Sequence, residues 1–143
     1  MPHMTPEEMA ANLVFHVKHA AVADLQSFYE RLAKQNEVMN LVGPATLPDY
    51  WSRHVLDSAQ LLDHRPDARL WADLGAGAGF PGVVLAILLK HSEGAAPCVY
   101  LVESLAKRCR FLQEAVTALD LPPRVINDRA ENRSAERRVG KEC

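Results

Sequence analysis

The spacing of hydrophobic residues changes along the chain, and this change divides it into parts. In the first part, apolar residues recur three or four positions apart, with polar residues between them: Val22, Leu25, Phe28, Tyr29, Leu32 and Met39. Such spacing predicts an amphipathic helix, which the Asn-Leu-Val-Gly-Pro run at 40–44 ends. Thr5 is placed to cap a first helix before it, and residues 48–63 predict a third helix after it. Residues 1–66 are therefore expected to form an N-terminal helical extension.

From residue 67 onwards the apolar residues form short unbroken runs separated by turn residues. Runs at 70–74, 98–102 and 124–126 predict strands, and 81–91 and 104–119 predict helices, the second capped by Ser104. Strands alternating with helices imply right-handed crossovers and a parallel sheet. We therefore expect an α/β domain over residues 67–131, with an incomplete sheet of about three strands.

Residues 132–143 differ from the rest, because they contain one sizeable apolar residue, Val139, and no useful period. A three-stranded sheet also leaves an edge open. Together these observations predict that the chain ends before the sheet is complete, with 132–143 as a disordered or non-native tail. A disordered native terminus is the alternative.

Four glycines follow the first predicted strand within eight residues: Gly75, Gly77, Gly79 and Gly82. A turn of this kind lets a ligand approach the backbone at a helix N-terminus. Two ligand classes fit it. The spacing Gly-x-Gly-x-x-Gly from residue 77, with Glu103 21 residues after Gly82, matches a dinucleotide site. The spacing Asp-x-Gly-x-Gly-x-Gly from residue 73 is typical of Rossmann-like S-adenosylmethionine (SAM) methyltransferases.

Two features favour SAM over a dinucleotide such as NAD(P), although a purely structural turn is a further alternative. Pro81 removes one N–H from the helix start, where a pyrophosphate needs donors. Three helices before the first strand suit a cap over a SAM site. In that interpretation Asp73 lies near the SAM ammonium, and Glu103 accepts from both ribose hydroxyls.

Composition narrows the possible partners. The formal net charge is −2, so RNA contact would require a local basic patch. The cysteines form no CxxC pair, and no third ligand accompanies His16 and His19, which are three apart on a predicted helix; we therefore expect no metal site. No apolar run reaches about 18 residues, and the N-terminus lacks the shape of a signal peptide. The sequence predicts a cytoplasmic protein without membrane contact.

The motifs at 53–58 (Arg-His-Val-Leu-Asp-Ser), 73–82 and 103–112 (Glu-Ser-x-x-Lys-Arg-x-x-Phe-Leu) resemble one family. It is the RsmG family, also called glucose-inhibited division protein B (GidB), of bacterial 16S rRNA guanine-N7 methyltransferases. The likeness covers about residues 20–131 and ends with Arg-Ala-Glu at 129–131. It implies SAM as cofactor, the 16S rRNA or small ribosomal subunit as partner, and a Rossmann-like fold; we expect a monomer.

The resemblance also implies roles for individual residues. Gly75 and Phe80 line the methionine and ribose side of SAM, beside Gly77 and Gly79 of the same loop, and Ala130 and Glu131 border the adenine. The family's next SAM-contacting segment and its basic C-terminal half have no counterpart here. Weak SAM binding and little turnover are therefore expected, and a non-catalytic RNA-binding fragment is a further alternative.

Other polar residues have a functional and a structural interpretation. His54 and Arg53 are the candidates for contact with substrate, but His54 also suits packing, and Arg53 also suits an ion pair with Asp57. Three cations on the second predicted helix suit phosphate contacts or a solvated helix face: Lys107, Arg108 and Arg110.

Overall fold

The computed structural model describes residues 3–129 as a helical N-terminal part followed by a small sheet with two helices. The helical part comprises α1 (Pro6–Ala11), α2 (His19–Asn36), a 3₁₀-helix (Pro44–Asp49), a π-helix (Tyr50–Leu56) and α3 (Asp57–His64). The part that follows comprises β1 (Leu70–Leu74), α4 (Gly82–Lys90), β2 (Cys98–Glu103), α5 (Ala106–Ala118) and β3 (Arg124–Asn127).

The sheet is parallel in the order β1-β2-β3, which confirms the predicted α/β, Rossmann-like architecture. Asp73 on β1 pairs with Leu101 on β2, and Leu101 pairs with Val125 on β3. In a parallel sheet all strands end at the same edge. Asp73 and Glu103, near the carboxyl ends of adjacent strands, therefore reach the same edge.

Helix α4 is the centre of the core. All its residues from Val83 to Leu89 are buried, because it lies between the sheet and helices α2 and α3. The stripe of α2 that the sequence predicted is also buried, at Leu25, Phe28 and Leu32. Each such side chain contributes roughly 1.5–3 kcal/mol by leaving water. The helical part and the sheet consequently share one core.

The N-terminal helices depart from the prediction after Asn36. Helix α2 ends there, about four residues early, because the Asn36 side-chain oxygen accepts the N–H groups of Leu41 (2.8 Å) and Val42 (3.0 Å). The single helix predicted over 48–63 is wrong. Residues 48 and 49 end the 3₁₀-helix, 50–56 form the π-helix, and only 57–64 are α-helical. Contacts with distant residues, such as the hydrogen bond from the Tyr50 hydroxyl to the Leu25 carbonyl, hold this segment in place.

Of the predictions about helix ends and helix membership, one is confirmed and two are wrong. Thr5 caps α1 as predicted, since its hydroxyl oxygen accepts the Glu8 N–H. Ser104 does not cap α5, whose cap position is Leu105. His16 precedes α2 and only His19 lies in it, so the two histidines do not share a helix.

No helix between residues 3 and 129 is both long and apolar enough to cross a membrane. The predicted adenine-side residues Ala130 and Glu131, and the tail at 132–143, lie outside the described residues.

Candidate functional site

The glycine loop lies over the carboxyl end of β2. The N–H groups of Gly75 and Ala76 both donate to the Val102 carbonyl, at 2.8 and 3.0 Å. The loop then continues to α4 and passes between two carboxylates, Asp73 of β1 and Glu103 of β2. This arrangement brings together five residues that the sequence singled out: Asp73, Gly75, Gly77, Phe80 and Glu103.

Glu103 joins the loop to the start of α5. This residue is only 4% exposed, and each of its carboxylate oxygens accepts one backbone N–H. Oε1 accepts from Gly77 at 2.9 Å, and Oε2 accepts from Leu105 at 2.8 Å. An ionised carboxylate offers about four acceptor positions, so Glu103 retains capacity for a hydroxyl donor.

Asp73 holds the other end of the loop. Its Oδ2 accepts the Gly82 N–H at 2.9 Å. Burial raises the pKa of this carboxyl to about 6; the bond from Gly82 opposes the rise, and the charge of Glu103 adds to it. A carboxyl with a raised pKa is one that a nearby cation would stabilise in its charged form. Asp73 is therefore suited to receive a positively charged group.

The glycines leave one side of the loop open and pack the other. Gly75, Gly77 and Gly79 have φ of 83°, 52° and 104°, a region that favours glycine. No described atom lies within 4 Å of a Cβ built on Gly75. A Cβ on Gly79 would lie 2.8 Å from Phe28, and one on Gly82 would meet Leu101 and Asp73. Space for a ligand therefore exists at Gly75, whereas Gly79 and Gly82 serve close packing.

The start of α4 offers few donors to a pyrophosphate. The Gly82 N–H is bonded to Asp73, the Val83 N–H donates to the Gly79 carbonyl at 2.8 Å, and Pro81 has no N–H. A dinucleotide site of the Gly-x-Gly-x-x-Gly type needs such donors at this position. The geometry thus favours a ligand whose donor groups need acceptors from the protein. It disfavours a pyrophosphate, which needs N–H donors from the protein.

The other wall of the site is aromatic. The Phe80 ring stacks on the His54 ring, with centroids 4.6 Å apart and an angle of 16° between the planes. Phe28 and Tyr50 approach Phe80 edge-on, at 5.8 and 6.2 Å. Tyr50 is in turn fixed by its hydroxyl, which donates to the Leu25 carbonyl at 2.7 Å. The position of Phe80 is therefore set by the helical part of the chain.

A hydrogen-bond chain fixes the proton on His54. The Thr46 hydroxyl donates to the Gly43 carbonyl at 2.7 Å, so it must accept from Nε2 of His54, 3.0 Å away. The neutral imidazole consequently carries its proton on Nε2. Burial lowers the pKa of His54, and the charge of Arg53 adds to this effect. Thr46 could not be identified from the sequence, because nothing in its spacing connects it to His54.

The structure brings only some of the remaining candidate residues together. Arg53 is exposed on the π-helix, and within residues 3–129 it forms no ion pair with Asp57. Lys107 and Arg110 line a hollow beside α2, whereas Arg108 does not. In the same part of the chain, no three His, Cys, Asp or Glu side chains group as metal ligands.

The family profile described as "rRNA small subunit methyltransferase G" matches residues 21–140. Two proteins named "Ribosomal RNA small subunit methyltransferase G" are similar to this chain. The protein from Caulobacter sp. (strain K31) is 64% identical over 111 residues, covering 78% of this chain and 49% of the relative. The protein from Bradyrhizobium sp. (strain BTAi1 / ATCC BAA-1182) is 44% identical over 116 residues, covering 81% and 51%. The chain spans about half the length of these relatives.

Proposed function

Because the chain belongs to the rRNA small subunit methyltransferase G family, we propose that it carries the SAM-binding loop of an enzyme that methylates guanine N7 in 16S rRNA. The substrate is the small ribosomal subunit or its RNA, in the cytoplasm. One observation carries the proposal. Asp73 and Glu103 reach the same sheet edge, on either side of a glycine loop, in a chain that matches this family.

The residues present fit SAM. The ligand carries donors and positive charge: an ammonium, a sulfonium and two ribose hydroxyls. Glu103 retains acceptor capacity for the hydroxyls, and Oδ1 of Asp73 accepts no hydrogen bond from the residues described. Gly75 leaves open space beside them, where a side chain would obstruct the ligand. In this proposal Gly77, Gly79 and Phe80 complete the wall, and Ala130 and Glu131 border the adenine.

SAM supplies a methyl group on a positively charged sulfur that leaves readily. Guanine N7 is already a lone-pair nucleophile, so the chain need not remove a proton from it. The work of the residues is to hold the two reactants in line and keep water away. Asp73 and Glu103 orient the cofactor, and Phe80, held by His54, shields one side of it. Arg53 and His54 are the residues we propose for contact with the guanine.

Calorimetric titration tests the cofactor assignment. We expect heat of binding with SAM and with S-adenosylhomocysteine, a rise in the melting temperature with both, and neither effect with NAD. Asp73→Asn is expected to weaken SAM binding, because it removes the charge that faces the ammonium. Asp67→Asn, an exposed acid between α3 and β1, is the matched control and is expected to bind SAM normally. Binding of NAD without SAM would overturn the assignment.

The reaction is tested with methyl-labelled SAM and 16S rRNA. Label is expected at guanine N7. Treatment with borohydride and then aniline identifies this position, because it cleaves the RNA chain at N7-methylated guanine. Label at another atom contradicts the proposed reaction. Binding of rRNA with no response to SAM would instead identify a non-catalytic RNA-binding module.

A further inference from the structure

A basic groove runs between helices α2 and α5. Two adjoining hollows, of about 280 and 180 Å³, share Gln35, Phe111 and Glu114 in their lining and so form one continuous depression. Arg31 and Lys34 line it from α2. Lys107 and Arg110 line it from α5. On each helix the two cations are three residues apart, which places them on one face.

The four cations of this basic groove are not neutralised. All four residues are exposed, and none of their side chains forms a hydrogen bond or ion pair in the described part of the chain. Glu114 is the only acid that lines the two hollows. This concentration of positive charge stands out because the whole chain carries a formal charge of −2. An anionic partner would therefore be attracted to this groove rather than to the surface in general.

The groove begins next to the candidate site. Lys107 lies four residues after Glu103, in the first turn of α5, whose preceding residue Leu105 is bonded to the Glu103 carboxylate. The floor is also connected to the site, because the Phe111 ring lies 6.1 Å from Phe28, which contacts Phe80. A strand of RNA with a base at the site would thus have its neighbouring backbone within reach of the groove.

We propose that the basic groove binds backbone phosphates of the RNA substrate and thereby positions it. This inference rests on the proposed function for the identity of the RNA. Cations repeated along both walls match the repeated phosphates of a nucleic acid better than the few carboxylates of a folded protein. Contacts of this kind give affinity and register without reading the base sequence. The groove therefore contributes to RNA affinity and not to cofactor affinity.

The test compares two double variants with the same loss of charge. Lys34→Gln with Arg110→Gln removes one cation from each wall. Lys18→Gln with Arg65→Gln removes two exposed cations outside the groove and is the control. Affinity for 16S rRNA and for an unrelated RNA of similar length is measured at several salt concentrations, together with SAM affinity and melting temperature. We expect the groove variant to bind both RNAs roughly tenfold more weakly and its salt slope to fall by about 2. The control is expected to keep both values.

The proposal would be overturned by equal losses in the groove and control variants, by wild-type affinity in the groove variant, or by no RNA binding in the wild-type chain. Loss of binding to the intact small subunit, with naked rRNA still bound normally, would also overturn it, since the partner would then be a ribosomal protein. If the wild-type chain does not bind SAM, the cofactor assignment is refuted. The RNA affinities of the two double variants can still be compared in that case. A groove variant that keeps its SAM affinity and melting temperature shows that the RNA effect is not one of misfolding.

Discussion

Asp73 and Glu103 occupy similar places near the ends of neighbouring strands, yet they are bonded to the glycine loop in different ways. Glu103 is buried and uses both oxygens to accept backbone N–H groups, one from the loop and one from the start of α5. Asp73 is partly exposed and accepts one N–H, from Gly82. Glu103 therefore links the loop to α5 through both oxygens and keeps only their remaining acceptor positions for a ligand, whereas Asp73 has one whole oxygen that accepts from no described residue.

The largest effect is expected from breaking the Asp73 attachment. In Gly82→Ala the new Cβ would collide with Leu101 and lie 2.8 Å from Oδ2 of Asp73, at a position where the backbone is tightly enclosed. Overpacking of this kind costs roughly 2–3 kcal/mol of unfolding free energy, measured by urea denaturation. Gly43→Ala is the control, since its Cβ would meet only a Thr46 methyl group at 3.8 Å. Equal losses in the two variants would contradict the packing role given to Gly82.

Amide replacement separates the two carboxylates directly. In Glu103→Gln, the side-chain NH₂ must face the N–H of Gly77 or of Leu105, which leaves a partly buried donor without its acceptor. We expect a loss of about 1–3 kcal/mol. In Asp73→Asn the amide oxygen can still accept from Gly82, so no loss is expected at pH 7. Chemical denaturation of both variants measures the difference, and similar losses would show that the two links are equivalent.

A smaller effect should appear in the pH dependence. The folded-state pKa of Asp73, about 6, lies above its ordinary value of 3.8. Below about pH 4 the carboxyl is protonated in both states and contributes no difference. Between about pH 4 and 6 the unfolded chain releases the proton while the folded chain retains it, so stability falls as pH rises. The fall is expected to be about 1–2 kcal/mol once solvent screening is allowed for.

This slope is expected to be absent in Asp73→Asn when unfolding is followed across the same pH range. Asp67→Asn serves as the control, because its carboxyl is exposed and away from the loop. Persistence of the slope in Asp73→Asn would assign it to another titrating group.

The sheet could be predicted from the sequence much better than the helical part. The strands β1 and β2 start where predicted, because short apolar runs bounded by turn residues leave few alternatives. The glycine spacing likewise located the loop. The segment at 44–64 depends instead on contacts between residues distant in sequence, such as the Tyr50 hydroxyl with the Leu25 carbonyl. No periodicity encodes such contacts, and a helix was therefore predicted where three kinds of winding occur.

The candidate site divides in the same way. Asp73 and Glu103 follow directly from strand ends, whereas the pairing of Phe80 with His54 depends on the fold of the π-helix. That Glu103 bonds the loop backbone could not be deduced from the motif, which suggests only a ligand contact. The sequence thus located both carboxylates but did not reveal how each is used.

The smallest effect is expected on the aromatic wall, where Thr46 orients His54 behind Phe80. Thr46→Val keeps the shape of the side chain but removes the acceptor for Nε2, and we expect a loss of about 0.5–1.5 kcal/mol. Nitrogen chemical shifts of His54 provide the sharper measurement. In the wild-type chain they should report the proton on Nε2, and in Thr46→Val a mixture of both tautomers. A wild-type imidazole protonated on Nδ1 would contradict the hydrogen-bond chain through Thr46. A loss larger than that of Glu103→Gln would reverse the order of the two walls and make the aromatic side the stronger support of the loop.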